Sequence, residues 1–135
     1  IYMLNLNDAS SLFWRIIQIE HVDAVNSIEE IVRVPGVDAL LLGMNDLSGS
    51  LGHIGETDRS DVQHMVRHVM QVGKAAGKPV GINARGDYDE LKKYMSWGAR
   101  WFAIGGDVPY LMGGAREGFE RSTANYMKIL QEIEP

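Results

Sequence analysis

The chain has 135 residues, of which 45% are hydrophobic and 23% are charged, and its formal net charge is -5. These values are typical of one globular domain, or part of one, with enough apolar residues for a core. Charges of both signs are interspersed and no basic stripe is present, which argues against a nucleic-acid partner. The chain has no cysteine, which excludes disulfides and thiolate metal sites and is compatible with the cytoplasmic location that we expect.

The amino-terminal segment 1–11 does not have the features of a targeting signal. It has no basic region, and no apolar run in the chain approaches the roughly 18 residues that a membrane span requires. We therefore expect no membrane partner. The segment also begins with Ile1 and not with Met, so we expect a truncated or partly covered chain.

Two short apolar runs in the first third of the chain predict buried β-strands. They are FWRIIQIE at 13–20 and VDALLLG at 37–43. Apolar residues at helical spacing between them predict a helix that Pro35 and Gly36 end. The stretch MNDLSGSLGHIGETD at 44–58 is rich in glycine and polar residues and predicts a loop.

The rest of the chain predicts two further strand and helix pairs and a helical tail. An apolar stripe predicts a helix over 59–77, and Gly77 suits its left-handed C-cap. Asp87 is the predicted N-cap of a later helix, which Gly98 follows. The remaining predicted elements are a strand at 79–84 (PVGINA), the helix at 87–98, a strand at 99–107 (ARWFAIGGD) and a tail helix at about 121–132.

The elements alternate between strand and helix four times, which predicts an α/β protein with a parallel sheet. The strands are apolar throughout, as in parallel sheets that are buried on both faces. Two architectures fit: a small doubly wound sheet, or half of a TIM (β/α)8 barrel. A complete barrel typically has about 250 residues. No linker divides the chain, so residues 1–135 are predicted to form a single partial domain.

Glu20 and Asp46 each follow a predicted buried strand. Ligand sites of parallel α/β proteins lie at the carboxyl ends of strands, so the two carboxylates could converge. Two carboxylates and water molecules make a hard oxygen site, which suits Mg²⁺ or Mn²⁺. The alternative is that the two acids only cap the helices that follow them.

Four segments together carry a resemblance to a known family. They are QIE at 18–20, GMNDLSGSLGHIG at 43–55, GKPVGI at 77–82 and GARWFAIGGD at 98–107. They resemble the HpcH/HpaI aldolase family, the metal-dependent class II pyruvate aldolases of the phosphoenolpyruvate/pyruvate barrel superfamily. The resemblance extends from about Phe13 to Phe119 and matches only the C-terminal half of the family's TIM barrel, strands 5 to 8.

The resemblance implies site residues at matching positions of this chain. Glu20 resembles the first metal carboxylate of the family and Asp46 resembles the second. Gln18 resembles a substrate-contacting glutamine two residues before the metal ligand, on the same face of the strand. Asn45 falls where the family contacts substrate largely through backbone, so Gln18, Asn45 and Asp46 are the predicted substrate-binding residues. The implied cofactor is Mg²⁺ or Mn²⁺.

The chain departs from the family pattern at several places. Met44 stands where the family usually has proline, and Asn83 stands where it commonly has leucine. The family's catalytic histidine, and the arginine that holds the pyruvate carboxylate, lie on early strands that this chain lacks. The catalytic residues are therefore unknown, and His21, His53 and Arg85 are not assigned those roles.

The resemblance implies reversible cleavage of 4-hydroxy-2-oxo acids to pyruvate and an aldehyde through a metal-stabilised enolate. The implied assembly is a homo-oligomer, or a pairing of this chain with the missing half-barrel. One alternative is a catalytically incomplete, self-associating half-barrel or partner subunit. A second is an acyl-CoA lyase of the citrate-lyase β or malyl-CoA type.

Overall fold

Four parallel strands form the sheet of this protein in a computed structural model that describes residues 13–133. They are β1 (Ile16–Ile19), β2 (Ala39–Leu42), β3 (Val80–Ala84) and β4 (Trp101–Ile104), and they lie in the order β1-β2-β3-β4. The predicted α/β fold with a parallel sheet is confirmed. The strands follow chain order without the reversal of a doubly wound sheet, so the topology favours the barrel-like alternative.

Six helices are present in the described residues. Their bounds are α1 (Val22–Asn26), α2 (Ile28–Ile31), α3 (Met44–Ser50), α4 (Ser60–Ala75), α5 (Tyr88–Trp97) and α6 (Asp107–Ile133). The chain divides into two compact units, of which the first ends at Ile104 and the second, Gly105–Pro135, contains α6. No helix in the described part of the chain is long and apolar enough to span a membrane.

The helices of the first unit cover one face of its sheet. Ile19, Leu42 and Ile82 are fully buried there, within a core cluster that includes Val62 and Val66 of α4. Strand side chains alternate between the two faces, and the opposite face is less covered. On that face Gln18 and Asn83 are exposed, and Leu41, Trp101 and Ala103 are half-buried.

The expectation that all strands are buried on both faces is therefore wrong. β1 shows the difference most clearly, because Ile16 is 46% exposed and Ile17 is 38% exposed. Among the described strands, β1 lies at the edge of the sheet and has β2 as its single neighbour. The apolar sequence of β1 indicates a capacity for burial that the first unit by itself does not meet at Ile16 and Ile17.

The stretch after β2 is a helix at its start, which corrects the predicted loop over 44–58. Met44, Leu47 and Ser48 of α3 are buried, and their spacing follows one helical face. The Ser48 hydroxyl donates to the Asn45 carbonyl (2.7 Å), and the Ser50 hydroxyl donates to the Leu47 carbonyl (2.7 Å). Tertiary burial of these side chains outweighs the weak helix propensity of the glycine and serine residues.

Two other predicted helices have different bounds in the structure. The helix between β1 and β2 is divided at Ser27 into α1 and α2. The tail helix begins at Asp107 and passes through Gly113 and Gly114. Glycine costs about 1 kcal/mol relative to alanine in a helix interior, which weakens a long helix without ending it.

The predicted helix ends at glycine are confirmed. Gly77 follows α4 with φ +69° and Gly98 follows α5 with φ +115°, the left-handed conformation that glycine adopts readily. Asp87 lies at the N-cap position of α5, but its side chain makes no capping hydrogen bond. Glu90 of the first turn instead bonds the chain that precedes the helix, because its Oε2 accepts from the Arg85 N–H at 2.7 Å.

Candidate metal-binding site

Gln18 and Glu20 lie together at the carboxyl end of β1. The Gln18 amide nitrogen Nε2 donates a hydrogen bond to Glu20 Oε2 at 2.5 Å. Glu20 is half-buried and Gln18 is exposed. This bond orients the Glu20 carboxylate, whose other oxygen has no hydrogen-bond partner within residues 13–133.

Gly43, at the end of β2, makes room for this pair. A Cβ atom at position 43 would lie 2.9 Å from the Glu20 Cβ and 3.0 Å from Gln18 Nε2. The Gly43 N–H donates to the Ile19 carbonyl at 3.0 Å, which holds the two strand ends in contact. Any side chain here would displace Gln18 or Glu20. Gly43 is not among the site residues predicted from the sequence, in which its signal is a glycine at the end of a predicted strand.

Asn45 and Asp46 lie in the first turn of α3, directly after Gly43. Both are exposed. The side chain of Asp46 makes no hydrogen bond or ion pair with any described residue. α3 is joined to the start of α1, because the Val22 N–H donates to the Ser50 hydroxyl oxygen at 3.1 Å. The elements that carry Glu20 and Asp46 are thus bound to each other at two points.

A methionine and a tyrosine anchor the first turn of α3. Met44 is buried, and the Tyr94 hydroxyl donates to its sulfur Sδ at 3.2 Å. The same hydroxyl accepts a hydrogen bond from Gln63 Nε2 at 3.3 Å. Burial raises the pKa of Tyr94 above its usual value, because the phenolate form would lose its solvation. This anchor fixes the backbone on which Asn45 and Asp46 lie.

Neither acid is the N-cap residue of the helix that follows it. His21 is the N-cap of α1, where its Nδ1 accepts from the Asp23 N–H at 3.2 Å. Gly43 is the N-cap of α3, and Asp46 is the third residue of that helix. A carboxylate in a first turn still interacts favourably with the helix dipole, by about 0.3–1 kcal/mol. That contribution does not account for Glu20, which precedes the cap of α1.

The chemistry of Glu20 and Asp46 fits a hard divalent cation. All ion pairs of the described residues lie elsewhere, so neither carboxylate is neutralised by a basic side chain. Carboxylate oxygens are the ligands that Mg²⁺ and Mn²⁺ prefer. Within residues 13–133 no group of three or more His, Cys, Asp or Glu side chains could hold a metal. A cation held by Glu20 and Asp46 would therefore need its other ligands from water, substrate or further protein.

The basic residues that the sequence analysis left unassigned have other contacts. Arg85 Nε lies 3.3 Å from Asp87 Oδ2 and 3.8 Å from Glu90 Oε1. His21 caps α1. The backbone N–H of His53 donates to the Ser48 carbonyl at 2.9 Å. These contacts give the Arg85 and His21 side chains local structural partners, and the catalytic residues of this protein stay unassigned.

The fold and the site together define a parallel α/β protein with two unneutralised carboxylates, one directly after β1 and one in the first turn of the helix that follows the adjacent strand β2. Residues 13–112 match the family model described as HpcH/HpaI aldolase/citrate lyase. The chain belongs to this family, which confirms the resemblance.

Named relatives agree with this assignment. The chain is 40% identical over 106 residues to a hydroxypyruvate/pyruvate aldolase of Chromohalobacter salexigens, in a match that covers 78% of this chain and 41% of the relative. It is 35% identical over 102 residues to a 5-keto-4-deoxy-D-glucarate aldolase of Salmonella arizonae, covering 76% of this chain and 40% of the relative. The chain thus spans about two fifths of the length of these curated relatives.

A solved structure has the same fold. It is the crystal structure of an HpcH/HpaI aldolase/citrate lyase family protein from Burkholderia cenocepacia, with a TM-score of 0.78 and 35% identity. The match covers 87% of this chain and 46% of that one.

Proposed function

We propose that this chain is the C-terminal half, strands 5 to 8, of a (β/α)8 barrel whose complete form is a divalent-metal-dependent aldolase. The complete enzyme would reversibly cleave 4-hydroxy-2-oxo acids to pyruvate and an aldehyde. The sequential strand order, the helices on one face and the coverage of less than half of each relative support the barrel assignment. The names of the curated relatives support the reaction class.

One observation carries the proposed site: Gln18 holds Glu20 against Gly43, and Asp46 follows three residues later without a partner among the described residues. Glu20 and Asp46 would hold the Mg²⁺ or Mn²⁺ ion. When bound, such an ion supplies a Lewis acid that stabilises the enolate of a 2-oxo acid.

The residues of this chain have binding and orienting roles in the proposal. Gln18 orients Glu20 and presents its amide toward the substrate. Asn45 contacts the substrate through its backbone, next to the proposed metal ligand Asp46. The general base that accepts the 4-hydroxyl proton would come from the part of the barrel that precedes these residues.

The positions of the lysines support a mechanism without a Schiff base. Lys78 precedes β3, where its Nζ donates to the Val37 carbonyl at 2.7 Å, so it lies at the opposite end of the sheet from Glu20. The other four lysines lie in helices: Lys74 in α4, Lys92 and Lys93 in α5 and Lys128 in α6. None is therefore placed at the carboxyl end of a strand.

Thermal unfolding of the whole natural protein with added Mn²⁺ tests the site. We expect Mn²⁺ to raise the Tm, because a ligand that binds the folded state stabilises it, and Glu20→Gln or Asp46→Asn to remove the rise. The matched control is Glu30→Gln, which removes an exposed carboxylate of α2. An undiminished rise in both site variants would contradict the assignment.

A second candidate is a self-associating half-barrel without activity, or an inactive partner subunit. It is favoured by the sheet face that carries half-buried Leu41, Trp101 and Ala103 and by the edge strands β1 and β4. Sedimentation of the 135-residue chain would test it. A stable monomer would contradict self-association. The family description includes citrate lyases, so the acyl-CoA lyase alternative also stays a prediction.

A further inference from the structure

Asn83 is a polar residue on the less covered face of the sheet. Its neighbours in β3, Ile82 and Ala84, are buried, and Ile82 belongs to the core under the helices. Because side chains alternate along a strand, Asn83 points to the opposite face, and it is exposed there. This is also the face that carries Gln18 and Glu20.

The strand register places Asn83 level with Glu20. Ile19 pairs with Leu42, and Leu42 pairs with Ile82, so the next residues along these strands, Glu20, Gly43 and Asn83, form one row across the sheet. Neighbouring strands are about 4.8 Å apart, which puts the Glu20 and Asn83 backbones about 10 Å apart. Gly43 between them has no side chain. The Gln18 and Glu20 side chains occupy the space beside Gly43, so Asn83 is the next side chain of the row after this pair.

The Asn83 side chain has no visible structural role in the first unit. It makes no hydrogen bond with the described residues. Its partner in β4 is Ala103, which is too small to cover the amide. The row below it contains Gln18, Leu41, Gly81 and Trp101. On the β3 and β4 side of this face, Asn83 thus supplies a hydrogen-bonding group to a wall that is otherwise small or apolar.

We propose that Asn83 is a specificity-determining residue, whose amide hydrogen-bonds a hydroxyl group on the aldehyde-derived part of the substrate. This inference rests on the proposed aldolase function. An amide both donates and accepts, so it complements a hydroxyl group fully. An alkyl aldehyde would leave the amide unpaired when water is excluded, which is unfavourable. The site therefore favours hydroxylated aldehydes over alkyl aldehydes of the same length.

The test compares two aldehydes that differ by one hydroxyl group, glycolaldehyde and acetaldehyde, with pyruvate and Mn²⁺ and the whole natural protein. We expect Asn83→Leu, which has nearly the same size, to lower the ratio of kcat/KM for glycolaldehyde over acetaldehyde about tenfold, the effect of one hydrogen bond. Asn83→Ala should lower the same ratio. It replaces Asn83→Leu in the test if that variant does not fold. Asn26→Leu, at an exposed asparagine of α1, is the matched control and should leave the ratio unchanged.

Deuterium exchange at C3 of pyruvate, followed by NMR, separates this inference from the proposed function. Exchange requires enolate formation but no aldehyde. If the unmodified protein shows no exchange, the proposed function fails, and the role of Asn83 fails with it. If exchange is present and the aldehyde ratio is the same in the unmodified protein and in both Asn83 variants, the role of Asn83 is overturned while the proposed function stands. An equal fall in kcat/KM for both aldehydes in the Asn83 variants would also overturn the role of Asn83.

Discussion

Gln18 donates a 2.5 Å hydrogen bond to Glu20 from two residues earlier on the same face of β1. A side chain that orients a metal ligand raises its affinity for the ion, and its removal typically costs about 10–100-fold. We expect Gln18→Leu to weaken Mn²⁺ binding to the whole natural protein by this amount, as measured by calorimetric titration. Gln71→Leu, at an exposed position of α4, is the control. Equal affinities in the two variants would contradict the orienting role.

Tyr94 links α5 to the turn that carries Asp46, because its hydroxyl donates to Met44 Sδ and accepts from Gln63. Tyr94→Phe removes both hydrogen bonds, so the Gln63 amide nitrogen loses one of its acceptors. We expect the free energy of unfolding to fall by about 1 kcal/mol, measured by urea denaturation. A variant as stable as the original protein would show that the hydroxyl contributes nothing.

The raised pKa of Tyr94 also predicts a dependence of stability on alkaline pH. Burial favours the protonated phenol in the folded state, so the folded protein retains this proton more tightly than the unfolded chain. The contribution is complete below the usual tyrosine pKa of about 10 and is lost as the pH rises through the raised value. In thermal scans at increasing alkaline pH, the Tm of Tyr94→Phe should fall less than the Tm of the original protein. Parallel profiles would contradict the prediction.

Asp61 gives the opposite dependence at acidic pH. Its side-chain hydrogen bonds with Arg59, at 3.1 and 3.2 Å, and its bond from the Val62 N–H lower the pKa of the carboxyl group. Because the pKa of Asp61 is lower in the folded state, its ionised carboxylate stabilises the protein at pH values above the usual aspartate pKa. This stabilisation is lost as the pH falls through the lowered pKa. We expect Asp61→Asn to flatten the loss of stability below about pH 4. Asp58→Asn, at an exposed aspartate just before this helix, is the comparison variant, and equal slopes in the original protein and in Asp61→Asn would contradict the prediction.

Gly73 sets the distance between α4 and β3. A Cβ atom at this buried position would overlap the Val80 Cγ2 methyl group. Gly73→Ala should therefore destabilise the protein by about 1–3 kcal/mol, as overpacking does. The double variant Gly73→Ala, Val80→Ala should lose less than the sum of the two single variants. Strict additivity in urea denaturation would show that the two side chains do not compete for this space.

The sequence predicted those features that depend on neighbouring residues. The four apolar runs became strands, and Gly77 and Gly98 ended their helices, because strand burial and left-handed glycine both have short-range signals. α3 was missed because Met44 and Leu47 become a buried face only after Tyr94 and other distant residues pack on them. Gly43 was missed because its importance depends on the strand beside it. The metal site itself stays a prediction that these contacts support.

The contact between Gly81 and Trp101 has a consequence for how the strands assemble. These two residues pair across β3 and β4, and the Trp101 indole occupies the space that a Cβ atom at Gly81 would fill. A shift of β4 by one residue would bring the indole against the neighbouring side chain of Val80 or Ile82, and it would also turn every β4 side chain to the wrong face. Gly81 and Trp101 therefore permit one alignment of β3 with β4 during folding, and this alignment places Ala103 beside Asn83.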